Sequence, residues 1–371
     1  NCDFNANGFL VPTEGNDGYK WGALAIYVPV NNSQAVITID NCTFTNGYYV
    51  TIGGYAKELT VSNSSISGVK SGINFGNGGN LTLIDTNIEV VPRIVYGDSY
   101  AIRFGANATT GERSDELHIE GGSFLVSNTN SLTPSTGVDF SAIIISENVA
   151  GHLSITGATI VGEVVNLSTA TLDASGNYWG TDEGPFNTSF KGEGPITIKN
   201  WLHQDEATAD LVSGAEKVPA HGSTGVALNA EVKINFPSNA TISVIEEGKL
   251  ADISIKAANG SELDGVSATL VDNSAIISHP PFAYGTQYTV NVPGGTFKAT
   301  LGEHANVQVL AERPSSWSFT TAARPLPPTP PPPPPPEEPT PPGAEEPLPD
   351  TTAPTVVNTD PVNNATNVPI D

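Results

Sequence analysis

The sequence predicts an all-β chain in which a solenoid of stacked parallel strands is followed by a β-sandwich. Two observations carry this prediction. A short strand pattern recurs six times before residue 180, and a repeat of this kind indicates coils that stack on one another. Between residues 217 and 322, short stretches of alternating apolar and polar residues are separated by Gly, Pro and Asn turns, which is typical of a sandwich.

Each copy of the recurring pattern reads as a strand, a corner and the start of another strand. Apolar and polar residues alternate, the alternation breaks at Asn, Asp or Gly, and a small residue and a large apolar residue follow. The copies begin 22, 22, 36, 36 and 19 residues apart, so the strands are kept while the loops differ in length. The six copies are 37–44, 59–66, 81–88, 117–124, 153–160 and 172–179.

The break in each copy predicts a tight corner. The residues there are types that tolerate the left-handed backbone conformation, so we expect positive φ angles at all of them. They are Asn41, Asn63, Asp85, Gly121, Gly157 and Gly176. The apolar positions near the corners, such as Ile39, Phe44 and Ile52, should stack into inward columns that fill a narrow core.

The last copy contains a motif that resembles the end of a known fold. The sequence at 177–180 is Asn-Tyr-Trp-Gly, and 196–202 looks like one more strand with a second large aromatic residue, Trp201. This pairing resembles the terminus of right-handed parallel β-helix proteins in the broad pectate-lyase-like superfamily. The resemblance covers residues 1–203 and implies a right-handed parallel β-helix there, followed by a connector at 204–216.

The second half of the chain resembles a different module. Its details are similar to a bacterial Ig-like domain that is common in S-layer and other surface proteins, and the resemblance extends over residues 217–322. It implies an Ig-like β-sandwich. The segments that carry it are 218–219, 222–226, 284–290 and 317–321.

A Pro/Glu-rich segment follows the predicted sandwich. Residues 325–350 hold 15 of the chain's 30 prolines, seven of them consecutive, so we expect an extended polyproline linker over 323–350. A recognition motif for a proline-binding partner is the alternative. Residues 351–371 repeat the opening of the Ig-like region. They predict the first strand of a second Ig-like module, either truncated or donated to another molecule's sheet edge.

The charge balance limits the partners. The net charge is −24 and the pI about 4.4, which disfavours nucleic acid because phosphate binding needs clustered Lys and Arg. No stretch approaches the roughly 20 apolar residues of a membrane-spanning helix, so we expect no membrane insertion in this segment. We expect an extracellular, cell-surface or cell-wall location, with self-association or other surface proteins and glycans as partners. No cofactor is expected, although such an acidic surface could collect Ca²⁺.

The superfamily resemblance requires that polysaccharide cleavage be considered. Inserted loops at 89–98 and 125–139 lie on consecutive copies, and we expect them to form a shared ledge that is the best candidate groove. If the chain is an enzyme, the catalytic candidates are Arg93, Asp98, Arg103 and Asp139. Because close Asp pairs and other signatures of related hydrolases are missing from 1–200, we expect no enzyme. The leading hypothesis is a structural or adhesive building block of a surface layer, stalk or filament. The alternative is a polysaccharide-binding or polysaccharide-cleaving β-helix.

Three smaller sets of candidate residues remain. Asp182 and Glu183 form a weak candidate for a cation site. Cys2 and Cys42 occupy the same repeat position, and equivalent positions of stacked coils lie about 4.8 Å apart. They are either a disulfide or two small side chains in a buried column. The sequons that are candidates for glycosylation are Asn31, Asn80, Asn107, Asn187, Asn239 and Asn259.

Overall fold

The structure is a computed structural model of the chain. It divides by contacts into two units, residues 1–324 and residues 325–371. In the second unit, the described residues lie in neither helix nor strand. The described residues are 2–5, 26–28, 34–46, 50–76, 79–92, 98–106, 115–127, 140–205, 207–301, 306–327 and 350–355.

The first part of the described chain consists of short strands with tight corners between many of them. Most strands have two to six residues, since each crosses only one side of a coil. In chain order they are β1 Cys2–Asn5, β2 Ile26–Val28, β3 Val36–Asp40, β4 Cys42–Thr45, β5 Val50–Gly54, β6 Glu58–Ser62, β7 Ser65–Val69, β8 Ser71–Gly76, β9 Asn80–Ile84, β10 Asn87–Val90, β11 Ser99–Ala106, β12 Leu117–Glu120, β13 Ser123–Val126, β14 Phe140–Ile145, β15 Leu153–Thr156, β16 Thr159–Val161, β17 Glu163–Asn166, β18 Leu172–Asp173, β19 Asn177–Tyr178, β20 Phe190–Lys191, β21 Ile196–Ile198, β22 Trp201–Leu202 and β23 Thr208–Ala209.

Strands β1–β22 form three parallel sheets, in which each strand pairs with the strand three places before it in the chain. Strand β23 extends sheet A in the antiparallel direction. Sheet A runs β1-β4-β7-β10-β13-β16-β19-β22, sheet B runs β2-β5-β8-β11-β14-β17-β20, and sheet C contains β3-β6-β9-β12-β15-β18-β21. The chain therefore visits the three sheets in turn and then pairs with its own previous coil. The prediction of an all-β chain with parallel sheets is confirmed. We call the whole of β1–β23 the coil, whereas one coil, or each coil, means a single turn of it.

The predicted corners and core columns are present. All six corner residues have positive φ, from 47° at Asp85 to 73° at Gly176. Phe44 lies in register with Ile66, which continues to Ile88 and Phe124 on the following coils, and all four side chains are buried. Full burial of such a side chain stabilises the fold by about 1.5–3 kcal/mol. Stacking supplies this burial, since one coil alone leaves these residues exposed.

A buried amide closes the coil near its last described turns. Asn177 is 0% exposed, and its Oδ1 accepts a hydrogen bond from Ala158 N at 3.0 Å. Its Nδ2 donates to Ile155 O at 2.8 Å and to Ala174 O at 2.9 Å. Trp201 lies opposite it in the register of sheet A. The Asn-Tyr-Trp-Gly motif thus uses its asparagine to satisfy backbone groups that no strand partner reaches.

The remaining strands of the first unit form the Ig-like region. They occupy a four-stranded sheet, β24-β25-β29-β28, and a three-stranded sheet, β27-β30-β33, while β26, β31 and β32 belong to sheet C. Short 3₁₀ turns occur at Gly184–Asn187 and Glu247–Leu250. The strands are β24 Glu216–Val218, β25 Val232–Asn235, β26 Ala240–Val244, β27 Ser254–Ala257, β28 Ser267–Val271, β29 Ser274–Ser278, β30 Gln287–Val292, β31 Phe297–Leu301, β32 Val307–Leu310 and β33 Ser315–Thr320.

Sheet C continues from the coil into the Ig-like region. Strand β32 pairs in parallel with β21, with Ile196 opposite Val307 and Ile198 opposite Val309. Through β32 and β31 the sheet reaches β26, which gives it ten described strands. Asn306 reinforces the seam, because its Nδ2 donates to Gly192 O at 3.2 Å and to Gly194 O at 2.5 Å. The sequence did not predict this shared sheet.

We predict that N306A destabilises the coil and the Ig-like region together. The substitution removes two hydrogen bonds across the seam, which should lower the free energy of unfolding by about 1–2 kcal/mol. Urea denaturation followed by far-UV circular dichroism and tryptophan fluorescence measures this change. N291A is the matched control, since the Asn291 amide makes only a long contact of 3.5 Å within its own strand. Two separate transitions, with only one moved by N306A, would contradict a shared sheet.

We predict a larger loss of stability for N177A. The alanine leaves one N–H and two carbonyl groups without their partner in the core, at a cost of about 3 kcal/mol. Thermal and urea unfolding measure the loss. N229A, at an exposed position, should change stability by less than about 0.5 kcal/mol. Equal effects of the two substitutions would show that Asn177 has no special role in closing the coil.

Candidate functional site

Part of the outer face of sheet B is covered, around Tyr100, Ile144 and Val165, unlike the described outer face of sheet C. Ile144 and Val165 are in register on neighbouring strands and alternate with inward residues, yet they are 3% and 2% exposed. They belong to a small apolar cluster with Val50 and Tyr100, separate from the main core. On sheet C, by contrast, Thr38 and His118 are exposed. This covered part of sheet B is the surface on which we look for a candidate site.

Two of the four predicted catalytic candidates meet on this face. Arg103 lies in β11, in register with Ile144, and Asp98 lies just before the same strand. Arg103 Nη1 donates to Asp98 Oδ2 at 3.1 Å. Arg93 and Asp139 lie outside the described residues. The convergence of all four on one groove stays a prediction.

Two buried ionisable residues lie beside this pair. Tyr100 is 5% exposed, and burial raises its pKa to about 12, with Arg103 lowering the pKa and Asp98 raising it. The Arg103 guanidinium carbon lies 5.9 Å from the centre of the Tyr100 ring, within reach of a cation–π interaction. Lys70 is also buried, and burial lowers its pKa while the Asp98 carboxylate raises it. Asp98 thus acts electrostatically on all three neighbours.

A second charged group lies further along the same sheet. The Glu163 side chain, 12% exposed, forms an ion pair of 3.0 Å with Lys191 Nζ. Ser141 Oγ donates to Glu163 Oε1 at 3.2 Å, and Ser189 Oγ donates to Oε2 at 3.0 Å. Each carboxylate oxygen therefore has a donor. A carboxylate held in this way is suited to joining coils, and it is poorly placed to accept a proton from a substrate.

The sequence analysis missed Lys70, Tyr100 and Glu163. Lys70 lies at a corner, between β7 and β8, where a charged residue is ordinary in any solenoid. Tyr100 and Glu163 lie at the beginning of strands, and strand alternation reports burial in the main core only. The one available signal was position, since Tyr100 lies in sequence between Asp98 and Arg103.

The carboxylates of Asp182 and Glu183, the weak candidate for a cation site, accept hydrogen bonds from other groups of the protein. Asp182 Oδ1 accepts a hydrogen bond from the backbone N–H of Gln204 at 2.6 Å, and Glu183 Oε2 accepts one from Asn187 Nδ2. These bonds fix the turn that leads into Gly184–Asn187. Within the described ranges, no group of three or more His, Cys, Asp or Glu side chains could hold a metal ion.

The two cysteines are register partners but not a disulfide. Cys2 lies opposite Cys42 across β1 and β4, as the repeat predicts, and both thiols are free. Cys42 is buried and its Sγ contacts Asp40 O at 3.3 Å. Cys2 is exposed. The buried-column alternative therefore describes Cys42 and not Cys2.

The sequon asparagines differ in exposure. Asn31 and Asn107 lie outside the described residues, and Asn80 is half-buried. The exposed ones are Asn187, Asn239 and Asn259. Glycosylation at these positions stays a prediction.

The comparisons with known proteins concern the second half of the first unit. Residues 210–321 match the family model described as a bacterial Ig-like domain, so the Ig-like prediction is confirmed for this region. Domains of this family are typical of surface or extracellular proteins. Neither the curated proteins nor the solved structures include a significant match to the chain.

The helical segments of the described residues are short 3₁₀ turns. No helix there is long and apolar enough to cross a membrane.

We predict that Tyr100 makes the stability of the wild type sensitive to alkaline pH. Its folded pKa of about 12 exceeds the usual value near 10. The contribution of the neutral phenol to the free energy of unfolding is therefore complete below pH 10 and is lost between about pH 10 and 12. Urea unfolding should show a loss of about 2–3 kcal/mol in that window for the wild type that Y100F lacks. The control Y284F, at an exposed tyrosine, should follow the wild type. Parallel curves for Y100F and wild type would contradict the burial of the phenol.

Proposed function

We propose that this chain is part of an extracellular structural or adhesive protein, a building block of a cell-surface layer, stalk or filament. In this proposal the coil is a right-handed parallel β-helix of the pectate-lyase-like kind, since connections between parallel strands are almost always right-handed. The proposal assigns no catalytic activity to the β-helix. The partners are further copies of the chain or other surface proteins and glycans.

The ten-stranded sheet C is the observation that supports this role most. The parallel pairing of β21 with β32 joins the two modules through backbone hydrogen bonds, so they resist bending at the seam. The residues between the modules also pair with the coil, because β23 adds to β22. Asp210 Oδ1 then fixes the turn that follows by accepting from the backbone N–H groups of Val212 and Ser213. A protein built to bear load benefits from such a junction, whereas a tethered binding domain does not require it.

The charges on the covered face of sheet B also favour a role without catalysis. Asp98 is paired with Arg103, and Glu163 is paired with Lys191 and two serines. Catalytic acid–base groups need at least one position open to a substrate. The typical location of the Ig-like family supports the extracellular setting, and the proline-rich linker at 323–350 fits a modular surface protein.

A second candidate function is glycan binding or cleavage on the same face. The specific observation in its favour is that the buried residues Tyr100 and Lys70 lie beside the half-buried pair of Arg103 and Asp98. Perturbed ionisable residues in one place are typical of functional sites, although ion-pair networks also produce them. The surrounding inserted loops would supply the rest of the groove.

Electron microscopy of envelopes from the native organism tests the structural role. Labelling with antibodies raised against residues 210–321 should mark ordered layers or filaments at regular spacing. Antibodies against the proline-rich segment provide a second label on the same chain. Label that is confined to the medium, with no ordered assembly on the surface, would contradict the proposal.

A cleavage assay tests the alternative. We expect the full chain to release no product from polygalacturonate or from a neutral β-glucan over a prolonged incubation. If product appears, D98N should abolish it, and the control D252N, at an exposed carboxylate of the Ig-like region, should not. Cleavage with that pattern would replace the structural role by an enzymatic one.

A further inference from the structure

A pocket lies where the coil meets the Ig-like region. Its volume is about 540 Å³, within the range of roughly 300–1,000 Å³ that is usual for small-molecule sites, which occur preferentially at domain interfaces. The coil contributes the turn around Phe186, and the Ig-like region contributes the end of β25 with Phe236 and Asn239. The pocket is distinct from the face of sheet B.

The pocket combines an apolar floor with a polar rim. Phe186 and Phe236 are buried, whereas Glu183 and Glu216 are exposed at the edge. Both carboxylates are oriented by amides, since Asn187 Nδ2 donates to Glu183 Oε2 and Asn235 Nδ2 donates to Glu216 Oε2, the latter at 2.9 Å. The rim is therefore ordered before any ligand arrives, which lowers the entropic cost of binding.

Further contacts hold the rim in place across the seam. Asn239 Nδ2 donates to Phe186 O, a bond between the Ig-like region and the coil. Asn235 Oδ1 accepts from Ser274 Oγ at 3.0 Å, so its amide is fixed on both sides. The polar groups thus belong to two modules that sheet C holds together, and the pocket exists only in the joined molecule.

The chemistry of the rim selects the class of ligand. Among the described residues that line the pocket, two carry carboxylates and none is Lys or Arg, so anions are repelled. Each carboxylate has about four acceptor sites, of which the amide uses one. Acceptors beside amide groups above an apolar floor match a molecule with many hydroxyl groups and C–H faces.

We propose that this pocket binds one unit of a neutral saccharide. The apolar floor takes a C–H face of the sugar ring, and the carboxylates and amides of the rim bind its hydroxyl groups. The site is separate from the structural role, and neither depends on the other.

Saturation-transfer NMR on the full chain, produced in a host that adds no glycans, tests this proposal. The probes are methyl β-D-glucopyranoside, methyl β-D-galactopyranoside and N-acetyl-D-glucosamine, with D-glucuronate and D-glucosamine as charged counterparts. We expect transfer to at least one neutral probe and none to D-glucuronate. Failure of all three neutral sugars, or stronger transfer to the cationic D-glucosamine, would overturn the proposal.

Three variants separate the pocket from the rest of the surface. S238W fills the pocket from its exposed rim and should abolish transfer, whereas S267W places the same indole on β28, outside the pocket, and should preserve it. E216Q keeps the shape and removes one charged acceptor, which should weaken binding about tenfold. Unchanged binding in both S238W and E216Q would place the sugar elsewhere and overturn the proposal. None of these outcomes bears on ordered assembly at the cell surface.

Discussion

Parallel backbone pairing between one coil and the next is the interaction on which the described structure depends. A two- to six-residue strand has too little surface to be stable alone, and each coil becomes buried only when a neighbour covers it. The side chains then follow the backbone, since in-register pairing places Phe44, Ile66 and Ile88 in one column. The same pairing crosses the seam from β21 to β32. Cohesion inside the coil and attachment of the Ig-like region therefore have one physical origin.

This dependence explains why corners and buried polar groups are so strictly arranged. A coil that must pair in register cannot vary the corner that the repeat predicts, so each of those six corners uses Asn, Asp or Gly in the left-handed region. The column beside the corner is partly polar because its members satisfy corner backbone groups. Thr86 Oγ1 lies 3.0 Å from both Val61 O and Ile84 O, which share its single proton, and further along the coil the Asn177 amide donates to Ile155 O and Ala174 O.

The sequence predicted the features that recur in every coil, and it did not predict the pairing of β21 with β32, which occurs once. Repeated spacing predicts the corners, the inward columns and the register of Cys2 with Cys42, because the same pattern is present in several copies. Strand β32 alternates apolar and polar residues like any sandwich strand. Its pairing with β21 is made by backbone hydrogen bonds, which do not depend on side-chain identity, so the sequence gives no signal for it. The same holds for the candidate sites. Asp98 and Arg103 were found from their position beside the predicted insertions, whereas Tyr100 is buried in a small cluster outside the main core, where strand alternation gives no signal.

The seam also limits how copies of the chain can assemble. An exposed strand edge is the usual template for adding another strand, and in sheet C the edge of β21 is occupied by β32. Coil-on-coil growth at that edge is therefore blocked by the chain's own Ig-like hairpin. Among the described strands, sheet C ends at β26 on one side and β3 on the other. Among these strands the edge of β21 is therefore closed to a further strand, so self-association through this sheet would not lengthen the coil at the seam.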